Sequence, residues 1–267
     1  MKPVIRRLLA AGSCAVTAAI TPSSVSAAEP PLGAASARLP VQAAVGRFTG
    51  TMTCTAAIVL HPRIIVTAAH CIARRDGLRV RTKPIFQPAK RAGRDIDRFE
   101  ATVWAVGSQQ RFTTQSAHDA ANDWAILVLD RVPVGIRPLH LQSRSAAELT
   151  RLQQQILMPG YAIDAAGVLS PRLDSACSIR GTMWNVLLHN CRASPGTSGA
   201  PLLIRDRQWY AVVAINTGSI SAGDEKGHIG KSIGNSASGA WRFAEALRAL
   251  SRRLQGDMAH AADIHGH

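Results

Sequence analysis

From Val45 onward, short apolar runs alternate with clusters of Gly, Pro and polar residues. Runs at 54–60, 64–67, 101–106 and 124–129 make one set, and runs at 155–161, 186–188, 201–204 and 209–215 make a second. Each is rich in Val, Ile, Leu or Thr and bounded by breakers, which predicts strands. Many such strands with few helical stretches predict barrels or sandwiches, not a doubly wound sheet. The segment 131–150, with Pro133, Gly135 and Pro138, reads as a link between two lobes. Near the end the period changes. Trp241, Phe243, Ala244, Leu247, Leu250 and Leu254 recur every three to four residues among arginines, predicting an amphipathic helix over about 238–254. The tail 255–267 is expected to be disordered, with His260, His265 and His267 in a frayed terminus.

The chain opens differently. Lys2, Arg6 and Arg7 precede an apolar, small-residue stretch ending in Val25-Ser26-Ala27, the pattern of a cleaved secretory signal over 1–27. Residues 28–44, rich in Ala and Pro, read as a leader or short propeptide. One large domain, 45–254, remains, divided into a first lobe at about 45–135 and a second at about 150–236. Cleavage removes Cys14 and leaves four cysteines, an even number in an exported chain, hence two expected disulfides. Of the three possible pairings, Cys54 with Cys71 and Cys177 with Cys191 keeps each bridge within one lobe. Loops of about 15 residues are each worth roughly 3 kcal/mol in the chain-entropy model.

The formal charge of +14 falls to +11 once the three basic residues of the leader are gone. Much of it lies between Arg74 and Arg98, which holds nine Lys or Arg against three Asp. That run reads as solvated loops, with weak attraction to anionic surfaces as a secondary property. No zinc-finger spacing and no interleaved aromatic platform accompanies it, so specific nucleic-acid binding is not expected.

Three short runs carry chemistry: Val66-Thr67-Ala68-Ala69-His70-Cys71, Asn122-Asp123-Trp124-Ala125-Ile126-Leu127 and Pro195-Gly196-Thr197-Ser198-Gly199-Ala200-Pro201. A serine hydroxyl is a poor nucleophile at pH 7, so Ser198 needs a base to take its proton, and His70 can do that. Asp123, directly before an apolar strand, can accept the other imidazole N–H and fix the tautomer. A turn at Gly196 can aim the backbone N–H groups of Gly196 and Ser198 at one point, as an oxyanion hole requires. His118-Asp119 is a second such neighbour pair, but no β-type run follows it. Gly196-Thr197-Ser198-Gly199-Ala200 also approaches a nucleophile elbow, with Asp206 and His228 in suitable order. That elbow requires a helix straight after the serine, where 201–204 reads as a strand.

With these runs in the order His, Asp, Ser, the chain resembles the trypsin-like (chymotrypsin-fold) serine proteases over roughly 45–254. It is most similar to bacterial secreted members, including the glutamyl endopeptidase-like group, whose Cys several residues before Gly-x-Ser-Gly matches Cys191 to Gly199. The resemblance implies an all-β fold of two antiparallel six-stranded barrels, the active site between them, and a C-terminal α-helix. It implies His70, Asp123 and Ser198 as catalytic residues, and Gly196 with Ser198 as oxyanion donors. Two departures matter. Thr197 stands where animal digestive members carry an aspartate that pairs with a freshly cut N-terminus. Ala193 and Asn216, the latter aligned with the pocket strand, lack the hydroxyl and histidine associated with glutamate preference.

The expected activity is a secreted serine endopeptidase, extracellular or periplasmic, monomeric, acting on proteins or peptides through an acyl-enzyme without metal or organic cofactor. The alternatives are a catalytically silent binding protein and an esterase on the same triad.

Overall fold

The computed structural model describes residues 40–73, 83–89, 97–107, 120–152, 155–223 and 229–264. The expected signal segment 1–27, most of the basic run 74–98 and the His118-Asp119 pair lie outside the described residues.

Six strands form the first barrel: β1 (Val45–Thr49), β2 (Thr53–Ile58), β3 (Ile64–Thr67), β4 (Ile85–Pro88), β5 (Phe99–Val106) and β6 (Ala125–Leu129). All neighbours are antiparallel, in the order β1-β2-β3-β6-β5-β4, and β4 returns to β1. Closure removes the unpaired edges that a sheet would otherwise expose. The interior is filled by Phe48, Phe86, Phe99, Ile58, Ile65 and Leu127, all buried.

The second barrel contains β8 (Gln155–Ile163), β9 (Leu169–Met183), β10 (Val186–His189), β11 (Pro201–Asp206), β12 (Trp209–Gly223) and β13 (Ile229–Gly239). These run β11-β8-β9-β10-β13-β12, and pairing of β11 with β12 completes the ring. Outside it, β7 (His140–Leu141) lies parallel against Ala211 and Val212 of β12.

The link segment is more structured than its prolines predict. It ends in a short helix, α1 (Ala146–Leu152). Ser145 caps it: the Glu148 N–H donates to Ser145 Oγ at 3.3 Å, while the Glu148 carboxylate accepts from the Ser145 N–H at 2.7 Å. This is a reciprocal capping box, and Ser-x-x-Glu is its sequence signal.

Strands β9 and β13 are not announced by apolar runs. Arg172, Asp174 and Arg180 interrupt β9, much of which is partly exposed, and β13 is built largely of Gly, Ser and Asn. Their pairing comes from the ladder partners, which override weak local propensity.

The C-terminal helix also departs from expectation. Ser238 and Gly239 belong to β13, a 3-10 turn covers Ala240–Arg242, and α2 runs Ala244–Ile264. Residues 255–264, expected to be disordered, continue the helix. Gln255, Met258, Ala259, Ala261 and Ala262 are good helix formers, and the lone Gly256 costs only about 1 kcal/mol. Phe243, Leu247 and Leu250 are buried, with the Phe243 ring 6.0 Å from Trp124, so the apolar stripe packs beside the first barrel. No helix among the described residues is long and apolar enough to cross a membrane.

Two disulfides are closed. Cys54–Cys71 ties β2 to the turn after β3, and Cys177–Cys191 ties β9 to the segment after β10.

Candidate active site

His70 lies in a one-turn 3-10 segment, Ala69–Cys71, directly after β3. Three contacts fix it: the disulfide at Cys71, and Thr51, whose hydroxyl reaches the carbonyls of His70 (3.2 Å) and Cys71 (3.1 Å). Asp123 approaches from the segment before β6. One carboxylate oxygen, Oδ1, accepts the His70 backbone N–H at 2.9 Å, and the other, Oδ2, lies 2.6 Å from His70 Nδ1. A carboxylate gripping both the backbone and the ring sets the ring's position and its tautomer, leaving Nε2 to face outward.

The segment that carries Asp123 is held from both lobes. The Gly107 N–H donates to the Trp124 carbonyl at 2.9 Å, and the buried Ser238 hydroxyl of β13 donates to Ala121 at 2.8 Å. Burial lowers the His70 pKa, but the charge of Asp123 and the hydrogen bond to it outweigh burial and raise it above its ordinary value.

Ser198 sits in the turn 194–199 before β11, and the hydrogen bonding of that turn is unusually one-sided. Every carbonyl from Ser194 to Ser198 accepts a bond. Ser194 receives the Thr197 N–H (3.0 Å) and hydroxyl (2.7 Å), and Pro195 receives Ile163 (2.8 Å). Gly196 receives the Thr55 hydroxyl (2.8 Å), Thr197 receives Ala200 (2.9 Å) and the Asn216 amide (3.0 Å), and Ser198 receives Thr55 (2.8 Å). The N–H groups of Ser194, Thr197 and Gly199 are also bonded. Within the turn only the N–H groups of Gly196 and Ser198 have no acceptor among the described residues. Two adjacent free donors beside a serine can hold a negative oxygen.

Two glycines allow this path. Gly196 has φ +96°, and a Cβ there would meet the Tyr161 carbonyl at 2.9 Å. Gly199, at φ +78°, presses so closely on the first barrel that a Cβ would lie 2.2 Å from Thr67 Oγ1 and 2.9 Å from the Ala68 nitrogen. That contact brings the Ser198 turn against the segment leading to His70. Ser198 Oγ forms no hydrogen bond to His70 among the described residues, and such bonds are often long in unliganded sites.

The sequence-predicted residues therefore gather in one place: His70 bonds Asp123 directly, and Ser198 and Gly196 lie on the adjoining turn. Asp206 is exposed at the far end of β11, and a strand rather than a helix follows Ser198. Asn216, on β12, is fully buried behind the turn and bonded to Thr197 and His189. Sequence reading passed over Thr55, Thr67 and His189. A polar residue inside an apolar strand, as in Val212-Val213-Ala214-Ile215-Asn216, is the signal that could have marked such a network.

His70 is the one point where metal-ligand atoms cluster among the described residues. Its ring nitrogens lie near Cys54 and Cys71, with all three donor atoms within 4.8 Å. Both sulfurs are committed to the disulfide, which removes the thiolates a metal would need.

A model of the trypsin-like peptidase domain matches residues 54–215, more than half the chain. The chain belongs to this family. It is a serine-type peptidase of the chymotrypsin fold. Among solved structures it is similar to a Glu endopeptidase in complex with MPD (19% identity, TM-score 0.57), over 81% of this chain and 94% of that one. It is also similar to the protease Anisep from Arthrobacter nicotinovorans (16% identity, TM-score 0.51), over 75% of this chain and 91% of that one. At these identities the likeness concerns the fold. No curated protein matches.

Behind this peptidase site, burial pushes the His189 pKa down to about 4, against weaker raising effects from Asn216, the Ser236 backbone and Asp174. Between pH 6.5 and 4 the unfolded chain binds a proton that the folded imidazole refuses. The stability this group contributes is therefore complete above pH 6.5 and lost as pH falls to about 4, by up to about 3 kcal/mol. Urea unfolding across that window should show the loss. In His189→Gln the dependence between pH 6.5 and 4 should be shallower by a comparable amount.

Proposed function

We propose that this chain is an exported serine endopeptidase in which Ser198 is the nucleophile, His70 the general base and Asp123 the residue that orients it. The observation that carries this reading is the 2.6 Å His70–Asp123 pair beside a turn in which, among the described residues, only the N–H groups of Gly196 and Ser198 lack an acceptor. In acylation, Ser198 Oγ attacks the peptide carbonyl carbon while its proton passes to His70 Nε2. The carbonyl oxygen becomes an alkoxide, and the N–H groups of Gly196 and Ser198 receive it. One such donor is typically worth about 3 kcal/mol. The C–N bond then breaks, and the leaving amine takes the proton from Nε2. An ester at Ser198 remains, and a water activated by the same imidazole hydrolyses it. The Asp123 carboxylate stabilises the imidazolium formed in both halves of the cycle.

Export is supported by the leader at 1–27 and by two disulfides, which persist in oxidising compartments. We read the domain as 45–254, with the propeptide or leader at 28–44, acting as a monomer on protein or peptide substrates without cofactor. Neither Ala193 nor the buried Asn216 favours glutamate at the cleavage site.

A fluorophosphonate probe, which phosphonylates an activated serine, is expected to label the wild type and to fail on Ser198→Ala. Equal labelling of both would overturn the assignment of the nucleophile.

Thr197 occupies the place before the serine and is fully bonded inside the turn, so it leaves no carboxylate there for a new ammonium group. Forms starting at several positions between Ala28 and Val45 are expected to cleave one peptide at similar rates. A single active start, inactivated by acetylating its amine, would contradict this.

A further inference from the structure

Asn216 is buried in β12 at the back of the Ser198 turn, and both ends of its amide are in use. Its Nδ2 lies 3.0 Å from the Thr197 carbonyl and 3.2 Å from Thr197 Oγ1, and its Oδ1 lies 3.1 Å from His189 Nε2. A backbone carbonyl can only accept, so the NH₂ end must face Thr197 and the oxygen must face His189. His189 Nε2 therefore carries the proton, and His189 is a donor that fixes the flip of the amide. The Asn216 backbone grips the same turn: its carbonyl accepts from Gly199 and its N–H donates to Ala200, each at 2.8 Å. Thr197 in turn binds Ser194 twice through Oγ1, donating to its carbonyl at 2.7 Å and accepting its N–H at 3.1 Å.

The Gly196–Thr197 peptide cannot rotate without pulling Thr197 away from this network, and the Thr197–Ser198 peptide contains the carbonyl that Asn216 holds. These two peptides flank, or carry, the N–H groups that remain free.

We propose that Asn216, oriented by His189, is a positioning residue. Its amide locks Thr197 so that the Gly196 and Ser198 N–H groups point together at the reacting oxygen. This internal clamp of an amide, an imidazole and a hydroxyl holds the turn. The inference rests on Ser198 being the nucleophile.

The test is the pre-steady-state hydrolysis of p-nitrophenyl acetate, which separates the acylation rate constant from ester binding, on the full mature chain. Asn216→Asp keeps shape and the acceptor toward His189 but removes both donors to Thr197. Loss of aim at two donors should slow acylation roughly 10- to 100-fold, since removing one donor outright costs about 10²–10³. Binding should stay within about two-fold, because an aim defect acts on the transition state and not on the ground state. The low-field NMR signal of the His70 Nδ1 proton should be unchanged, since the His70–Asp123 pair is not touched. Thr197→Val should slow acylation similarly, Thr197→Ser should restore most of the rate, and adding Thr197→Val to Asn216→Asp should cost little more.

A folded Asn216→Asp protein acylating within two-fold of wild type overturns the proposal. So does a loss in which binding weakens in proportion or the His70 signal disappears, because that marks general disruption. If Asn216→Asp does not fold, the Thr197 pair decides: Val as fast as wild type overturns it, and Val slow with Ser fast supports it. Ser198→Ala separates the two readings. If Ser198→Ala abolishes acylation while the Asn216 and Thr197 variants are fast, the nucleophile stands and the clamp falls. If Ser198→Ala still acylates, the nucleophile itself is wrong.

Discussion

Thr55 joins the two halves of this molecule, and the geometry of the cleft depends on that one buried residue. Its N–H donates to the Ser198 carbonyl and its hydroxyl to the Gly196 carbonyl, each at 2.8 Å. The same hydroxyl accepts the Tyr161 N–H at 2.9 Å, and its own carbonyl accepts the Thr67 hydroxyl at 2.7 Å. A single residue of β2 thus ties the Ser198 turn, strand β8 and the end of β3, from which His70 follows. Thr55 and Thr67 are fully buried, so breaking one of their bonds would leave a buried polar group unpaired, at a cost of about 1–3 kcal/mol. That makes the position of the Ser198 turn relative to the His70 segment stiff.

The barrels then divide the work. The first, bridged by Cys54–Cys71 beside His70, supplies the proposed base and its carboxylate on rigid elements. The second supplies the turn, with its carbonyls bonded backward into β8, β12 and Thr55, so that its remaining N–H groups face the other way. Asp123 belongs to the first barrel by sequence, yet Ser238 of the second helps to hold its segment. Such crossing supports suit a site whose catalytic power depends on preorganised dipoles.

Much of this was legible in the sequence, because its chemistry is compressed into three short runs. Thr-Ala-Ala-His-Cys, Asn-Asp-Trp and Gly-Thr-Ser-Gly each place a candidate side chain next to a breaker or an apolar strand, and four of the six strands of the first barrel announce themselves by apolar runs, while the short β1 and β4 do not. The supporting network was not legible. Thr55 looks like any strand threonine, and its partners lie more than a hundred residues away in Gly196 and Tyr161. Alignment puts Asn216 on the pocket strand, but nothing in its neighbourhood in the sequence shows that its amide serves Thr197. β9 and β13 hide because their partners, not their hydropathy, make them strands, and α2 outlasts its apolar stripe because residues beyond Leu254 favour helix intrinsically. Local pattern encodes elements well; it does not encode which polar groups will be buried together.

The central claim is that His70 and Asp123 act as one proton-handling unit toward the nucleophile turn. The pH dependence of kcat/KM in wild type and Asp123→Asn tests it most directly. The account predicts an acid limb in wild type governed by a pKa above 6.5, because the coupled carboxylate raises His70 and only the neutral imidazole accepts a proton. In Asp123→Asn it predicts a limb displaced to lower pH and a rate at the plateau lower by about 10⁴-fold, as in triads of this kind. An Asp123→Asn enzyme with the wild-type limb and a wild-type plateau would contradict the account.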